Sequence, residues 1–277
     1  MRHRLLHMAG AGLAVIAAAG CGGPVPAPDP FTVGSEAFNP QSGHIQGIAA
    51  TRNALYLSQS QHLVKVDWTG RPVCSRASTN HTGDICWYRG RLYASLALTD
   101  AEGMPGADSP EGVGKIQVFD RHLKLVKEAV VDRRIDGITC MDGILYVGMG
   151  SKTQPSREPH RINIIGRFDA RTLEEIAPRV EFDYGFETKF GVQDITNDGR
   201  NVYLSFYSVG GAPQIAVTDK DLNLVGTLSK EANQGLDVMP QSMSAGSPLF
   251  VKAKTVTSKN PAQVSCIIDF WTPRMTQ

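Results

Sequence analysis

Charge of one predominant sign is missing from this chain: its 277 residues carry 28 Lys and Arg against 27 Asp and Glu, a formal net charge of +1. No basic patch or stripe of Lys and Arg interleaved with aromatics disturbs that balance, which argues against a nucleic-acid partner. There is no GxSxG phrase, no Cys with a His placed beside it, and no glycine-rich loop of the kind that cradles phosphate. The local signatures of nucleophilic and nucleotide chemistry are therefore absent. None of the 5 cysteines stands in a CxxC or Cys/His spacing that would suggest zinc. Asp100, Glu102, Asp108 and Glu111 crowd one stretch, but their spacing does not match an EF-hand, and a solvated acidic loop accounts for them equally well. A long apolar run is also lacking. Residues 13–19 are apolar, too short for a permanent membrane helix of about 20 residues.

What is present is a phrase that returns. Residues 44–56 (HIQGIAATRNALY), 81–93 (HTGDICWYRGRLY), 134–146 (RIDGITCMDGILY) and 191–203 (GVQDITNDGRNVY) are loose copies of one another. A fifth, stretched by an insertion, occupies 232–250. Each copy places a small or acidic residue before an aliphatic one: Gly47-Ile48, Asp84-Ile85, Gly137-Ile138, Asp194-Ile195 and Gly235-Leu236. Such recurrence is the mark of a repeat architecture. Within a copy, two β-rich runs flank a turn of Asn, Asp or Gly. A third run follows and ends in Asp, at Asp67, Asp120, Asp169, Asp219 and Asp269. After the first four of these, a turn leads into a fourth run. The Asp side chain is placed to bond that turn's backbone.

Four strands per unit, repeated radially, are the blades of a β-propeller. The expected fold is all-β: a five-bladed propeller of four-stranded blades over 31–277. The anchors at 48, 85, 138, 195 and 236 are spaced by 37, 53, 57 and 41 residues, as variable loops on a constant frame would give. The fifth unit runs out of chain before a fourth strand, and residues 31–38 (FTVGSEAF) alternate with no partner of their own. They are expected to supply the outer strand of the last blade, removing an exposed edge.

Ahead of this unit, Arg2 and Arg4 precede the apolar stretch, and Ala18-Ala19-Gly20-Cys21 resembles the bacterial lipobox. The resemblance implies a signal peptide over 1–20, lipidation of Cys21 with palmitate among its acyl chains, and an extracytoplasmic protein held on the cell membrane or outer membrane. An ordinary cleaved signal with Cys21 incidental is the alternative. Residues 21–30, with the Pro- and Gly-rich GGPVPAPDP, read as a tether. Without Arg2 and Arg4 the net charge becomes −1. Cys74, Cys86, Cys140 and Cys266 remain; they allow two disulfides, with Cys86 and Cys140 the favoured pair, or four buried thiols.

In such a ring the starts of the innermost strands open on one face, at the mouth of the central channel. That assigns His44, Gln46, His81, Asp84, Arg134, Asp136, Gln193, Asp194 and Gln234 to a ligand-binding rim. The long connections 99–114 and 151–161 emerge on the same face, and long loops in compact domains are often functional. Asp84 and Asp194 have a structural alternative as caps of strand starts.

The phrase around Gln46-Gly47-Ile48 resembles the strand openings of plant-type glutaminyl-peptide cyclotransferases, which are five-bladed propellers. Asp136-Gly137-Ile138-Thr139 and Gln193-Asp194-Ile195-Thr196 stand at that family's active-site phrases, but no residue matches its catalytic Glu, so the resemblance implies scaffold rather than activity. No cofactor, metal ligand or catalytic residue can be assigned. The favoured function is a surface-anchored propeller that binds a small polar ligand, glycan or protein at its upper face. The alternatives are an extracytoplasmic hydrolase, lyase or cyclotransferase using rim His and Asp residues, and a structural lipoprotein of the envelope.

Overall fold

Runs rich in Val, Ile, Leu and Tyr, broken every few residues by Gly, Asn and Asp, leave little choice but short antiparallel strands. A computed structural model describes residues 27–78, 81–98, 112–152, 158–212, 214–228, 232, 234–240, 248–257 and 264–272. A first sheet holds β2 (Ile45–Ala50), β3 (Leu55–Gln59), β4 (His62–Val66) and β5 (Pro72–Ala77), and a second holds β6 (His81–Tyr88), β7 (Arg91–Ala97), β8 (Gly114–Phe119) and β9 (Leu125–Val131). A seven-stranded sheet follows, with β10 (Ile138–Met141), β11 (Ile144–Ser151), β12 (His160–Asp169), β13 (Glu175–Asn197), β14 (Val202–Ser208), β15 (Ile215–Thr218) and β16 (Leu224–Leu228). The closing sheet contains β17 (Leu236–Val238), β18 (Phe250–Thr257), β19 (Val264–Trp271) and, at its outer edge, β1 (Phe31–Val33).

The innermost strands close a ring, with β2 against β6, β6 against β10, β10 against β13, β13 against β17, and β17 back on β2. This is a propeller scaffold. Separate apolar clusters fill the wedges between its sheets. Ile85, Leu92 and Phe119 meet Tyr56 and Leu63 between the first two sheets, whereas Ile48, Leu55 and Val66 meet Val251, Cys266 and Ile268 between the first and the closing sheet. The seven-stranded sheet folds on a core of its own, where Tyr146 and Ile165 face Val192, Leu204 and Phe206.

Turn chemistry follows the sequence reading. Arg89-Gly90 and Asp142-Gly143 each put two consecutive residues at positive φ (44° and 81°, 53° and 86°), the tight turn that matches strand twist. Asp67 Oδ1 accepts from the amides of Thr69 and Arg71, and Asp120 Oδ1 from those of His122 and Lys124. Asp169 and Asp219 do the same for Arg171 and Thr172, and for Asp221 and Asn223. Hydrogen bonds to the charged form, led by the Thr69 hydroxyl at Asp67, the Asn223 amide side chain at Asp219 and the backbone amides at Asp120 and Asp169, hold all four carboxyls below the ordinary value. Asp269 differs, because it sits inside β19, where it accepts from the amide of Phe270.

Three expectations are corrected. The strand foreseen over 31–38 stops at Val33, and Ser35–Ala37 is a 3₁₀ turn. β13 runs unbroken for 23 residues and fuses what repetition suggested as separate sheets. Cys74, Cys86, Cys140 and Cys266 are free thiols, three of them buried, so no disulfide joins Cys86 to Cys140. Cys21 and most of the two long connections, 99–111 and 153–157, lie outside the described residues.

Candidate functional site at the channel mouth

Three of the five innermost strands share an irregularity near the mouth. Register shifts fall between Ile45 and Gly47, between Thr82 and Ile85, and between Val192 and Asp194. A bulge at each of these places re-aims the side chains there, and the nine rim residues fall into two groups.

The first group turns inward and holds the ring together. Asp84 is fully buried; its Oδ1 accepts from the amide of Ile85, and its Oδ2 from the amides of Ile138 and Ile195 at 2.9 Å each. One carboxyl thus ties β6 to β10 and β13. Asp194, also fully buried, accepts from the amide of Leu236 at 2.8 Å. Asp237 continues the pattern: its Oδ2 accepts from the amide of Ala50 at 2.7 Å and its Oδ1 from Thr196 Oγ1 at 2.6 Å. Burial raises all three carboxyls, Asp84 and Asp194 well above the ordinary value and Asp237 to about 6. Like charge adds to this, with Asp194 acting on Asp84 and Asp237 on Asp194.

The glycines at the equivalent positions are explained by the same crowding. A Cβ on Gly47 would come within 2.7 Å of Asp84 Cα, and one on Gly137 within 2.7 Å of Ile195 Cγ1. Gly47 leaves the space that Asp84 fills, Gly137 makes room for Ile195 and Val192, and Gly235 for Ala253.

The second group lines the mouth. Gln234 Nε2 donates to Gln46 Oε1 at 2.6 Å and reaches Gln193 Oε1 at 3.5 Å, and Gln193 Nε2 donates to the carbonyl of Phe190 at 2.7 Å. Gln46 Nε2 donates to Ser60 Oγ and stands 3.2 Å from His44 Nε2. Across the opening, Arg134 clamps Asp136 through Nε at 2.9 Å and Nη2 at 3.2 Å, with side chains only 11% and 4% exposed. His81 faces this pair. Burial lowers its pKa most; the Asp136 carboxylate opposes that shift, while Arg134 and His44 add to it. His81 is consequently a neutral imidazole near pH 7.

Two aromatic residues complete the mouth without having been foreseen. Tyr207 is close enough to Asp136 to feel its charge, although burial is the larger cause of its raised pKa. Its ring meets Phe190 edge-on at 5.5 Å. Tyr207 lies at the far end of β14, and no feature of the recurring phrase marks it. Asp237 had a weak signal: it follows the anchor Leu236 directly, where the other copies have Ala49, Cys86, Thr139 and Thr196. Among the described residues, no group of three or more His, Cys, Asp or Glu side chains is arranged to hold a metal ion.

The mouth therefore offers amide, guanidinium and phenol donors beside amide and carboxylate acceptors, and a neutral imidazole. It can make hydrogen bonds of both polarities to a polar molecule. Among the described residues, no nucleophile there is paired with a base.

Comparison with known proteins bears on the scaffold. No protein-family model matches the sequence, and no curated protein matches it either. Solved structures do. The chain is similar to a DUF4623 family protein from Bacteroides eggerthii, with 7% identity over 88% of this chain and 58% of that one, at a TM-score of 0.50. It is similar also to a gluconolactonase from Xanthomonas campestris (14% identity, 83% of this chain and 72% of that one, TM-score 0.47). A third likeness is to the Pan2 WD40 domain of Neurospora crassa (11%, 82% and 76%, TM-score 0.37). At such identities the likeness is one of fold alone. None of the three is a glutaminyl-peptide cyclotransferase, and that resemblance gains no support.

Proposed function

We propose that this protein is a five-bladed propeller whose upper mouth binds a small polar ligand. The blade count rests on the separate core inside the seven-stranded sheet. On this reading β10 to β12 with the first part of β13 form one blade, and the remainder of β13 with β14 to β16 the next. We also propose that Cys21 carries the lipid anchor read from the sequence, which puts the domain outside the cytoplasm.

The observation that carries the binding reading is that every inner strand delivers polar side chains to one opening. The amides of Gln46, Gln193 and Gln234 are linked along one side, and His81 faces the Arg134–Asp136 clamp on the other. Asp84 and Asp194 belong to the frame beneath it. Binding is favoured over catalysis because the buried ion pair is already satisfied and no nucleophile accompanies it.

The test is a screen of sugars, organic acids and glycan arrays by thermal shift and calorimetry, followed by His44→Ala with His81→Ala. These side chains add little to the core, so the fold is expected to persist. Affinity for any ligand found should fall at least tenfold, about 1.4 kcal/mol. Unchanged affinity in a folded double variant would remove the site from this mouth.

A further inference from the structure

On the opposite face lies a groove of about 520 Å³, between the second sheet and the strands β10 to β12. Its volume suits a single small organic molecule. Tyr93, Val118 and Val126 form an apolar floor, and Val126 is 52% exposed. Around this floor stand Arg89, Arg91, Lys127 and Arg171.

The state of those cations decides what the groove suits. Lys127 Nζ is occupied, donating to the carbonyls of Arg171 and Thr172 at 3.0 and 2.6 Å. Arg89 lies over the Tyr88 ring at 5.3 Å. Among the described residues, the guanidinium groups of Arg89, Arg91 and Arg171 make no hydrogen bond or ion pair. The single carboxylate lining the groove, Asp169, already spends Oδ1 on the turn amides of Arg171 and Thr172. Four cations therefore stand around one lining carboxylate; Arg171 already lies in the field of Asp169 and Arg91 in that of the nearby Asp120, while the forks of Arg89, Arg91 and Arg171 keep their hydrogen-bond donors above an apolar floor.

We infer that this groove binds a small organic anion: a carboxylate or another oxyanion head on an apolar body. The head would be held by the forks of Arg91 and Arg171, which come from turns and strand starts on either side. The body would cover Val126 and Tyr93 and remove their apolar surface from water. This site is separate from the upper mouth, and its failure would leave the reading of that mouth untouched.

The probe is naphthoate, titrated by calorimetry into the full chain carrying Cys21→Ser, with naphthalenemethanol as its uncharged counterpart and phosphatidylglycerol vesicles as a third arm. Saturable binding of naphthoate alone is expected, weakening as salt is added. Arg91→Met with Arg171→Met, which keeps the aliphatic stems, should weaken it at least tenfold. Val126→Glu, at an exposed position, should abolish it with the melting temperature unchanged. Undiminished binding in the folded Arg double variant would overturn the proposal, as would equal binding of the alcohol or the absence of saturable binding. Binding to vesicles without binding to naphthoate would overturn it in favour of a membrane-surface role.

Discussion

A carboxyl buried on the axis of a ring is held at a cost that changes with pH. Asp237 illustrates this most simply, because its pKa rises from 3.8 to about 6 as the chain folds. In that window the folded state retains a proton that the unfolded state has released. Stability is fully present below the unfolded value and is lost as pH rises through the folded one. The loss is on the order of 3 kcal/mol for two units. Asp84 and Asp194 shift in the same direction. The turn carboxylates of Asp67, Asp120, Asp169 and Asp219 shift the opposite way, so their contribution falls away only below the ordinary carboxylate range. His62 and His81, lowered by burial, act in the opposite sense over the same range, so the test is a difference: chemical denaturation between pH 4 and 6 should show wild-type stability minus that of Asp237→Asn declining as pH rises. A difference that is flat or rises across this range would contradict the assignment. Much of this scale was legible beforehand: the rim residues were found by aligning the phrase, and the turn Asp residues by their place after a β-branched run. What alignment cannot reveal is direction. A bulge decides whether Asp84 faces the mouth or the backbone of β10 and β13, and a bulge has no composition of its own.

Among the elements, β1 is the smallest with a structural task. Three residues pair it to β19, Phe31 with Ile268, Thr32 with Ile267 and Val33 with Cys266. Its alternation made it recognisable as an orphan strand, although Gly34 and the 3₁₀ turn after it cut the expected length by more than half. Deleting residues 31–38 removes Val33, Ala37 and Phe38 from the core, where they are at most 7% exposed. At about 1.5–3 kcal/mol for each large apolar side chain, Val33 and Phe38 together contribute some 3–6 kcal/mol. It also bares the edge of β19. A marked fall in melting temperature with aggregation is the expected result; a monomer of unchanged melting temperature would show that closure does not need β1. β13 was less legible, because repetition marks where a unit starts and says nothing of whether the connection between units stays extended. The bend comes at Phe190 and Gly191, both at positive φ, where a Cβ on Gly191 would sit 2.8 Å from Gly150 Cα.

For the whole molecule, the point where the chain enters the ring gives the proposed anchor at Cys21 a geometric consequence. Phe31 packs edge-on against Trp68, and Thr32 lies against Gly70, both in the turn between β4 and β5. That turn is on the face opposite the polar mouth. A tether running from Cys21 to residue 30 would reach the domain from that side and leave the mouth turned away from the membrane. Cys21→Ser should end labelling by palmitate and release the protein from the membrane fraction, while the purified domain keeps its melting temperature; unchanged labelling would refute lipidation at that residue.

The pairing of Val33 with Cys266 joins residues 233 positions apart. During synthesis the strand made first must wait for nearly the whole chain before its partner exists. Contacts of such long sequence separation form slowly. Growth from the N-terminus cannot complete the ring sheet by sheet, because its last joint needs both ends at once. Until then, the nascent chain carries one strand without a neighbour and, later, one sheet without its outer edge. Such edges favour pairing with other chains. For this protein the order of manufacture and the order of assembly differ, and the interval between them is when it is most exposed to chaperones and proteases.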